Sequence, residues 1–407
     1  MSKIETIKSY TGHDLENIFF RPMLTGPSAD ELGIKVMYNM PVPTTLHFWK
    51  RSGDVLQKFD KAGWNGSAAA SKFQKTMDLK RVKAEVGYSA EDYFSMVYEL
   101  ITANPNVNME DLSGTELEAA ETALFKQDIA ESIRTTMWLG DTERTAFCNT
   151  FDGFLKHITS DLMGGEKSIT TLGFNKQSEK WASELFAKIW SRSTDHLRAL
   201  KSDGNLVLFV SSDVYAQYEN ELDNADYEAA YIARQDGRPQ LHYRGIPVVD
   251  LQLGGYKEQS NNLPASFVIF TDRRNMALAV NTNDFPGTEV KMWYNPDQME
   301  NRQRAVFMAG CDYLLPELVT FALCNEVNVA SDINADYACI EVEAQDSGSI
   351  KSMHISVYDN GETIEEVTMT GAEVNGTFEY EGTNLTGVRV IIEFMNGTST
   401  NKLYTKN

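Results

Sequence analysis

Ser113-Gly-Thr-Glu-Leu-Glu-Ala-Ala-Glu-Thr-Ala-Leu-Phe-Lys-Gln-Asp-Ile-Ala-Glu-Ser-Ile-Arg-Thr-Thr-Met-Trp-Leu-Gly140 reads as one long helix. Ser113-Gly-Thr-Glu116 is a capping box, in which the serine oxygen accepts from the amide of Glu116 and that carboxylate accepts from the N-cap amide. Ala120, Leu124, Phe125, Ile129, Ile133 and Met137 recur at mostly three- and four-residue steps. Gly140 ends the pattern after about 25 residues, or ~38 Å at 1.5 Å per residue. The apolar residues make a single stripe, and the rest of the helix is largely charged.

On the N-terminal side, residues 1–30 mix Gly, Pro and charge without a 2.0 or 3.6 period and read as an extended arm. β-leaning runs follow at Ile34-Lys-Val-Met-Tyr38, Leu46-His-Phe-Trp49 and Lys75-Thr-Met-Asp-Leu-Lys-Arg-Val-Lys-Ala-Glu-Val86, the last with partial alternation. Between them lies the small, Gly/Ala-rich stretch 62–71. A long two-stranded ribbon with a flexible tip fits this pattern, and such a ribbon buries little on its own.

On the C-terminal side, a second amphipathic helix carries Trp181, Leu185, Ile189, Leu197 and Leu200 and ends before Gly204. It feeds the strand Leu206-Val-Leu-Phe-Val210, then Ser211-Ser-Asp213 as an N-cap and a helix over 214–222. A short β unit at 241–251 comes next. Two strands, Ser266-Phe-Val-Ile-Phe-Thr271 and Met276-Ala-Leu-Ala-Val280, are joined by the charged turn 272–275, with further strands near 289–294 and 304–308. From about Ser331 short strands at 340–343, 353–358, 377–380 and 388–394 alternate with Asn360-Gly, Asn375-Gly and Asn396-Gly, as in hairpins with I′-type turns. Residues 331–407 therefore read as an appended all-β module, suited to a small immunoglobulin-like sandwich. It holds four Lys/Arg and thirteen Asp/Glu, a net −9 out of −21 for all 407 residues.

Composition excludes more than it nominates. A sequence pI near 4.7 argues against gripping nucleic acid by phosphate neutralisation. The first ten residues have no apolar h-region, and no stretch approaches eighteen uncharged apolar residues, so neither export by a signal peptide nor a membrane span is expected. Cysteines at 148, 311, 324 and 339 form no CxxC pair, and histidines at 13, 47, 157, 196, 242 and 354 form no HExxH. No catalytic, cofactor-binding or metal-ligating residue is nominated.

The order of arm, ribbon, long lone helix, compact α/β region and late returning strands resembles the Hong Kong 97-type major capsid protein of tailed double-stranded-DNA bacteriophages. The matching motifs are Thr136-Met-Trp-Leu-Gly-Asp141, Leu208-Phe-Val-Ser-Ser-Asp-Val-Tyr215, Tyr243-Arg-Gly-Ile-Pro-Val-Val249, Phe267-Val-Ile-Phe-Thr-Asp-Arg-Arg274 and Asp312-Tyr-Leu-Leu-Pro-Glu-Leu318, over roughly 1–328. The resemblance implies an α+β fold with an N-arm at 1–30, an extended loop at 31–89, a P-domain with spine helix at 90–140 and 266–300, and an A-domain at 141–265 and 301–328. It implies a non-enzymatic shell subunit that forms hexamers and pentamers, encloses double-stranded DNA without sequence-specific binding, and works with portal, scaffolding and decoration proteins. Location in a virion, assembled in the host cytoplasm, follows. With no coiled-coil segment ahead of the arm, a scaffold is expected to be separate or unneeded. The 331–407 module is additional to the minimal family pattern and would be displayed outside. An encapsulin-type nanocompartment shell, and an α/β enzyme with a carbohydrate-binding β module, are the alternatives.

Some members of that family crosslink a loop lysine to a neighbour's asparagine. Candidates here are Lys58, Lys61, Lys72 or Lys75 with Asn281, Asn283 or Asn295, beside the plainer reading of solvated lysines and loop asparagines. The acidic pairs Asp332/Asp336, Glu341/Glu343 and Glu365/Glu366 lack a D-x-D-x-D-G array and read as solvated strand faces. Gly164-Gly-Glu-Lys167 lacks phosphate-loop spacing, and the three N-x-T matches at 375, 384 and 396 read as turns. Ser211-Ser-Asp213 has no hydrolase context. Trp181, Trp190 and Trp293 have no accompanying basic track and read as core or interface anchors rather than base-stacking platforms.

Overall fold

The computed structural model describes residues 29, 31–37, 44–51, 70–89, 116–223, 234–235, 238–239, 241–253, 263–280, 290–334, 336–359 and 362–405. In chain order the strands and helices are β1 (Lys35–Met37), β2 (Thr44–Arg51), β3 (Ala70–Met77), β4 (Lys80–Ser89), α1 (Glu116–Leu139), α2 (Phe154–Met163), β5 (Thr170–Phe174), α3 (Trp181–Arg192) and α4 (Asp195–Ala199). Then follow β6 (Leu206–Val210), α5 (Ser212–Asp223), β7 (Arg234–Gln235), β8 (Arg238–Pro239), β9 (His242–Tyr243), β10 (Ile246–Asp250), β11 (Phe267–Asp272), β12 (Met276–Val280), β13 (Val290–Asn295), β14 (Glu300–Tyr313) and β15 (Val319–Cys324). The last seven are β16 (Val327–Ile333), β17 (Tyr337–Ala344), β18 (Ile350–Asp359), β19 (Glu362–Met369), β20 (Gly376–Glu381), β21 (Leu385–Phe394) and β22 (Ser399–Thr405). The class is α+β, as the sequence implies. The N-arm, the ribbon tip and the Ser113 cap lie outside the described residues.

The long helix is α1, and its apolar stripe lies on a five-stranded sheet in which β1, β12, β14 and β13 are neighbours and β4 also pairs β14. Phe125, Ile129, Ile133 and Met137 share a core with Val82, Ala305 and Phe307 of that sheet. At the C-terminal end the helix is buried all round. Trp138 packs its ring 5.2 Å from Phe154 and 5.3 Å from Phe209, and Arg134, only 4% exposed, donates to the Leu251 carbonyl at 2.8 Å. Gly140 stops the helix for a steric reason: a Cβ there would overlap the carbonyl oxygens of Phe151 and Thr136 where the chain crosses itself.

A second sheet runs β5-β15-β11-β6-β10-β9. β6, β11 and β15 are buried along their full length, so they read as continuous apolar runs rather than alternating ones. α3 and α5 cover one face through Leu185, Phe186, Ile189, Val214 and Tyr218.

The sheets cut across the divisions expected from sequence. The strands at 266–271 and 276–280 do not pair: β11 joins β6 and β15, while β12 joins β1 and β14. The turn between them is a 3-10 turn in which the Asp272 side chain accepts from the Arg274 amide, and it carries the chain from one sheet to the other. Asn275 fixes that crossing by donating to the Leu315 carbonyl and accepting from the Leu315 amide. Likewise 300–313 is one strand of the first sheet and runs across the division expected at 300/301. The helix expected over 181–200 is broken at Ser193, because Thr194 caps a new helix by accepting from the Leu197 amide. The run 75–86 is broken at Asp78-Leu79.

The C-terminal strands form two sheets, β16-β17-β20 and β19-β18-β21-β22, enclosing their own core of Ile340, Val342, Ile355, Val390 and Phe394 among others. The module begins at Val327, separated from β15 by two residues and earlier than the expected 331. Its seven strands order as a three-plus-four sandwich in which the fourth strand pairs with the third, unlike the constant-type immunoglobulin arrangement. Of the expected I′ turns, Asn360-Gly lies outside the described residues. Asn375-Gly makes no hairpin: it sits where the chain crosses between sheets, with Asn375 at φ −83°. Asn396-Gly closes β21 to β22 with a positive φ at Gly397 alone, and the Gly397 amide donates to the Phe394 carbonyl, the geometry of a three-residue loop with a bulge.

Candidate functional site: the root of the ribbon

β2 and β3 pair with each other from Thr44↔Met77 to Arg51↔Ala70, and with no other described strand. They continue into the body through Asp78-Leu79, after which β4 joins the first sheet. The break lies directly over Gly310 of β14, where a Cβ would stand 2.5 Å from the Asp78 carbonyl oxygen. Met77 and Leu79 are 1% and 3% exposed, packed with Ala277, Ala279 and Leu314.

A charged contact locks the same root. Lys75 Nζ sits 2.8 Å from Asp312 Oδ1 and 3.7 Å from the centroid of the Tyr313 ring. Asp312 also accepts from the Tyr313 amide at 2.8 Å, and the Tyr313 hydroxyl donates to Asp161. Burial pushes the Asp312 carboxyl above its ordinary range, against His157 and Lys75, which favour the charged form. The ribbon's lysine thus partners a carboxylate that is costly to leave alone. On the helix side, a groove of about 830 Å³ opens between β4 and α1, lined by Val82, Ala84, Val86, Leu124, Phe125 and Phe307.

A second polar cluster ties the C-terminal module to the body. Asp346 accepts from the amides of Ala265 and Ser266 at 2.9–3.0 Å. Ser266 donates in turn to Asp213, and Lys176 Nζ donates to both Asp213 and Ser266 at 2.8 Å. Burial pushes the Asp213 carboxyl up, but hydrogen bonds from Lys176, Ser211 and Ser266 outweigh it and hold the pKa at about 2. Gly348 lies against the backbone of Leu263, with no room for a side chain. Asn325 donates to Thr398 at 2.9 Å, and Asn396 donates to Asn325 at 3.2 Å.

The sequence candidates fall as follows. Lys58, Lys61, Asn281 and Asn283 lie outside the described residues. Lys72 lies on β3 opposite Trp49. Lys75 is committed to Asp312, and Asn295, the last residue of β13, faces Arg302 of β14 in the same chain. Ser211, read as a helix cap, exchanges hydrogen bonds with the Phe267 backbone. Gly164 and Gly165 close α2. Trp181 stacks on Phe174 at 5.5 Å and is 7% exposed, whereas Trp293 is 42% exposed. Among the described residues no three His, Cys, Asp or Glu side chains converge as metal ligands. Asp312, Lys176 and Asp346 were not legible as a site, since each partner lies tens to hundreds of residues away and no local motif marks it.

No protein-family model matches this chain, and no curated protein matches it. Its backbone is similar to solved structures described as "Capsid of native GTA particle computed with C5 symmetry" (12% identity, TM-score 0.44, 80% of this chain and 95% of that one) and "Gordonia phage Cozz" (9%, 0.47, 80% and 92%). A third is "The capsid of Myoviridae Phage XM1" (11%, 0.44, 78% and 99%).

Proposed function

We propose that this chain is the structural subunit of an icosahedral tailed-phage head, assembling through hexamers and pentamers around double-stranded DNA. The observation that carries the reading is the β2–β3 ribbon. An isolated two-stranded sheet is marginal in water, yet this one, paired only with itself among the described residues, is anchored at its root by buried Met77 and Leu79 and by the Lys75–Asp312 pair. A firm root under a ribbon that has no further sheet partner among the described residues suits an element completed by a neighbouring copy. In this reading the protein is a virion component, assembled in the host cytoplasm. Its role is structural rather than catalytic, and portal, scaffolding and decoration proteins are its partners.

The acidity fits a container. A wall at −21 per subunit does not trap phosphates while DNA is packed and neutralised by small cations. Electron microscopy of the purified full chain at neutral pH tests the proposal. Shells of ~50 nm or larger that hold DNA are expected on the logic of closed symmetric assembly. Small DNA-free shells would favour a nanocompartment, and monomers with saturable turnover would sink both.

A further inference from the structure

The register of β4, β14 and β13 assembles on one sheet face what the sequence keeps apart. Val82, Ala84, Ala305 and Phe307 point toward α1, so the alternate positions face away from it. There Gly87, Arg302 and Trp293 form one row across the three strands, with Glu85 and Arg304 in the next row and Lys83 beyond. Arg304 is 48% and Lys83 66% exposed, and Arg302 is 35% exposed. Glu85 and Glu300 offset part of the charge, through Lys83, Arg304 and Arg302. Arg81, Lys83, Arg302 and Arg304 still outnumber them in a chain whose net charge is −21. Trp293 at 42% and Met299 at 60% exposure border this face, and Trp, Met and Arg are the side chains enriched where proteins meet.

One face elsewhere in the same chain is its electrostatic complement. On the β16-β17-β20 sheet, Ala338, Ile340 and Val342 point inward. The outward positions include Asp332 of β16, Glu341 and Glu343 of β17, and Glu379 and Glu381 of β20, in adjoining register. None of these three strands contains a Lys or Arg.

We propose that the Trp293/Arg302/Arg304 face of one copy docks on the Glu341/Glu379 face of the C-terminal module of a second copy. The module then serves as an inter-subunit clamp rather than a free appendage. It rests on the shell reading only in needing copies side by side. A DNA backbone is the competing occupant of the basic face, but a face pairing exposed Trp and Met with arginine, in a chain that carries its own acidic counterpart, favours protein.

The test is a charge swap in the full-length protein. Arg302→Glu/Arg304→Glu and Glu341→Lys/Glu379→Lys, each folded as judged by circular dichroism and thermal unfolding, should each weaken self-association in sedimentation by about tenfold or more near 0.1 M salt. Mixing the two variants should restore it. If both associate like the parent, the contact is wrong. If only Arg302→Glu/Arg304→Glu acts, and what it loses is retention of duplex DNA in a gel shift, the basic face belongs to DNA and the proposal is overturned. Parent particles in the microscope with unaffected swaps would reject the clamp and keep the shell. Absence of particles would reject the shell, while salt-sensitive association that each swap weakens and mixing the two variants restores would keep the clamp.

Discussion

Gly140 shows how much one hydrogen atom can decide. Its amide donates to the Thr136 carbonyl, and its own carbonyl accepts from Gly153 at 2.9 Å, so two backbones meet with no space for a methyl group. Gly140→Ala is expected to cost about 3 kcal/mol or more, since backbone rather than a flexible side chain must move. A urea unfolding curve indistinguishable from the parent's would refute this. Asp213 makes a pH prediction with a definite sign. Its folded pKa of about 2 lies below the ordinary 3.8, so the unfolded chain takes up the proton first. The stabilisation, of the order of 1–2 kcal/mol, is present above about pH 4 and lost as pH falls toward 2. Asp213→Asn should flatten stability against pH in that window, and an unchanged slope would show that the Lys176 and Ser266 bonds contribute nothing.

Among elements, the ribbon is the one whose behaviour follows from a single root. Lys75→Met removes the cation beside Asp312 while keeping most of the side chain's length. A buried carboxylate without its partner costs about 1–3 kcal/mol, and some of that is recovered by protonation because burial already raises the Asp312 pKa. The expected outcome is a modest loss in thermal stability that shrinks as pH is lowered, and a larger loss of assembly. Equal assembly by light scattering would mean that the root does not hold the ribbon. Part of this element was legible: the alternation around Val82 and Ala84 marks a strand. The break at Asp78-Leu79 was not, because it is set by Gly310, more than two hundred residues later, beneath the chain.

For the whole molecule, the C-terminal module is docked rather than tethered. Asp346 holds the Ala265 and Ser266 amides, and Asn325, Asn396 and Thr398 close a second contact. Asp346→Ala leaves those amides without their acceptor, so limited proteolysis should cut between 324 and 330 faster than in the parent while the module's core stays intact. Cleavage at the parent's rate would mean that the asparagine contact alone suffices. The site was illegible for the same reason as Asp312: a carboxylate that caps amides eighty residues away has no spacing to announce it.

The sequence by itself determined which segments are apolar on one side, on both, or on neither. From that came the long helix, the fully buried strand at 206–210 and the β-rich C-terminus, because periodicity is a local consequence of burial. Only the tertiary structure decided which sheet each strand joins. β11 and β12 are five residues or fewer apart and go to different sheets, because Asn275 and the 3-10 turn redirect the chain. The same pairing brings Trp293 beside Arg302 and builds a basic face in an acidic chain. Strand pairing is a long-range choice made by packing, and a linear pattern does not contain it.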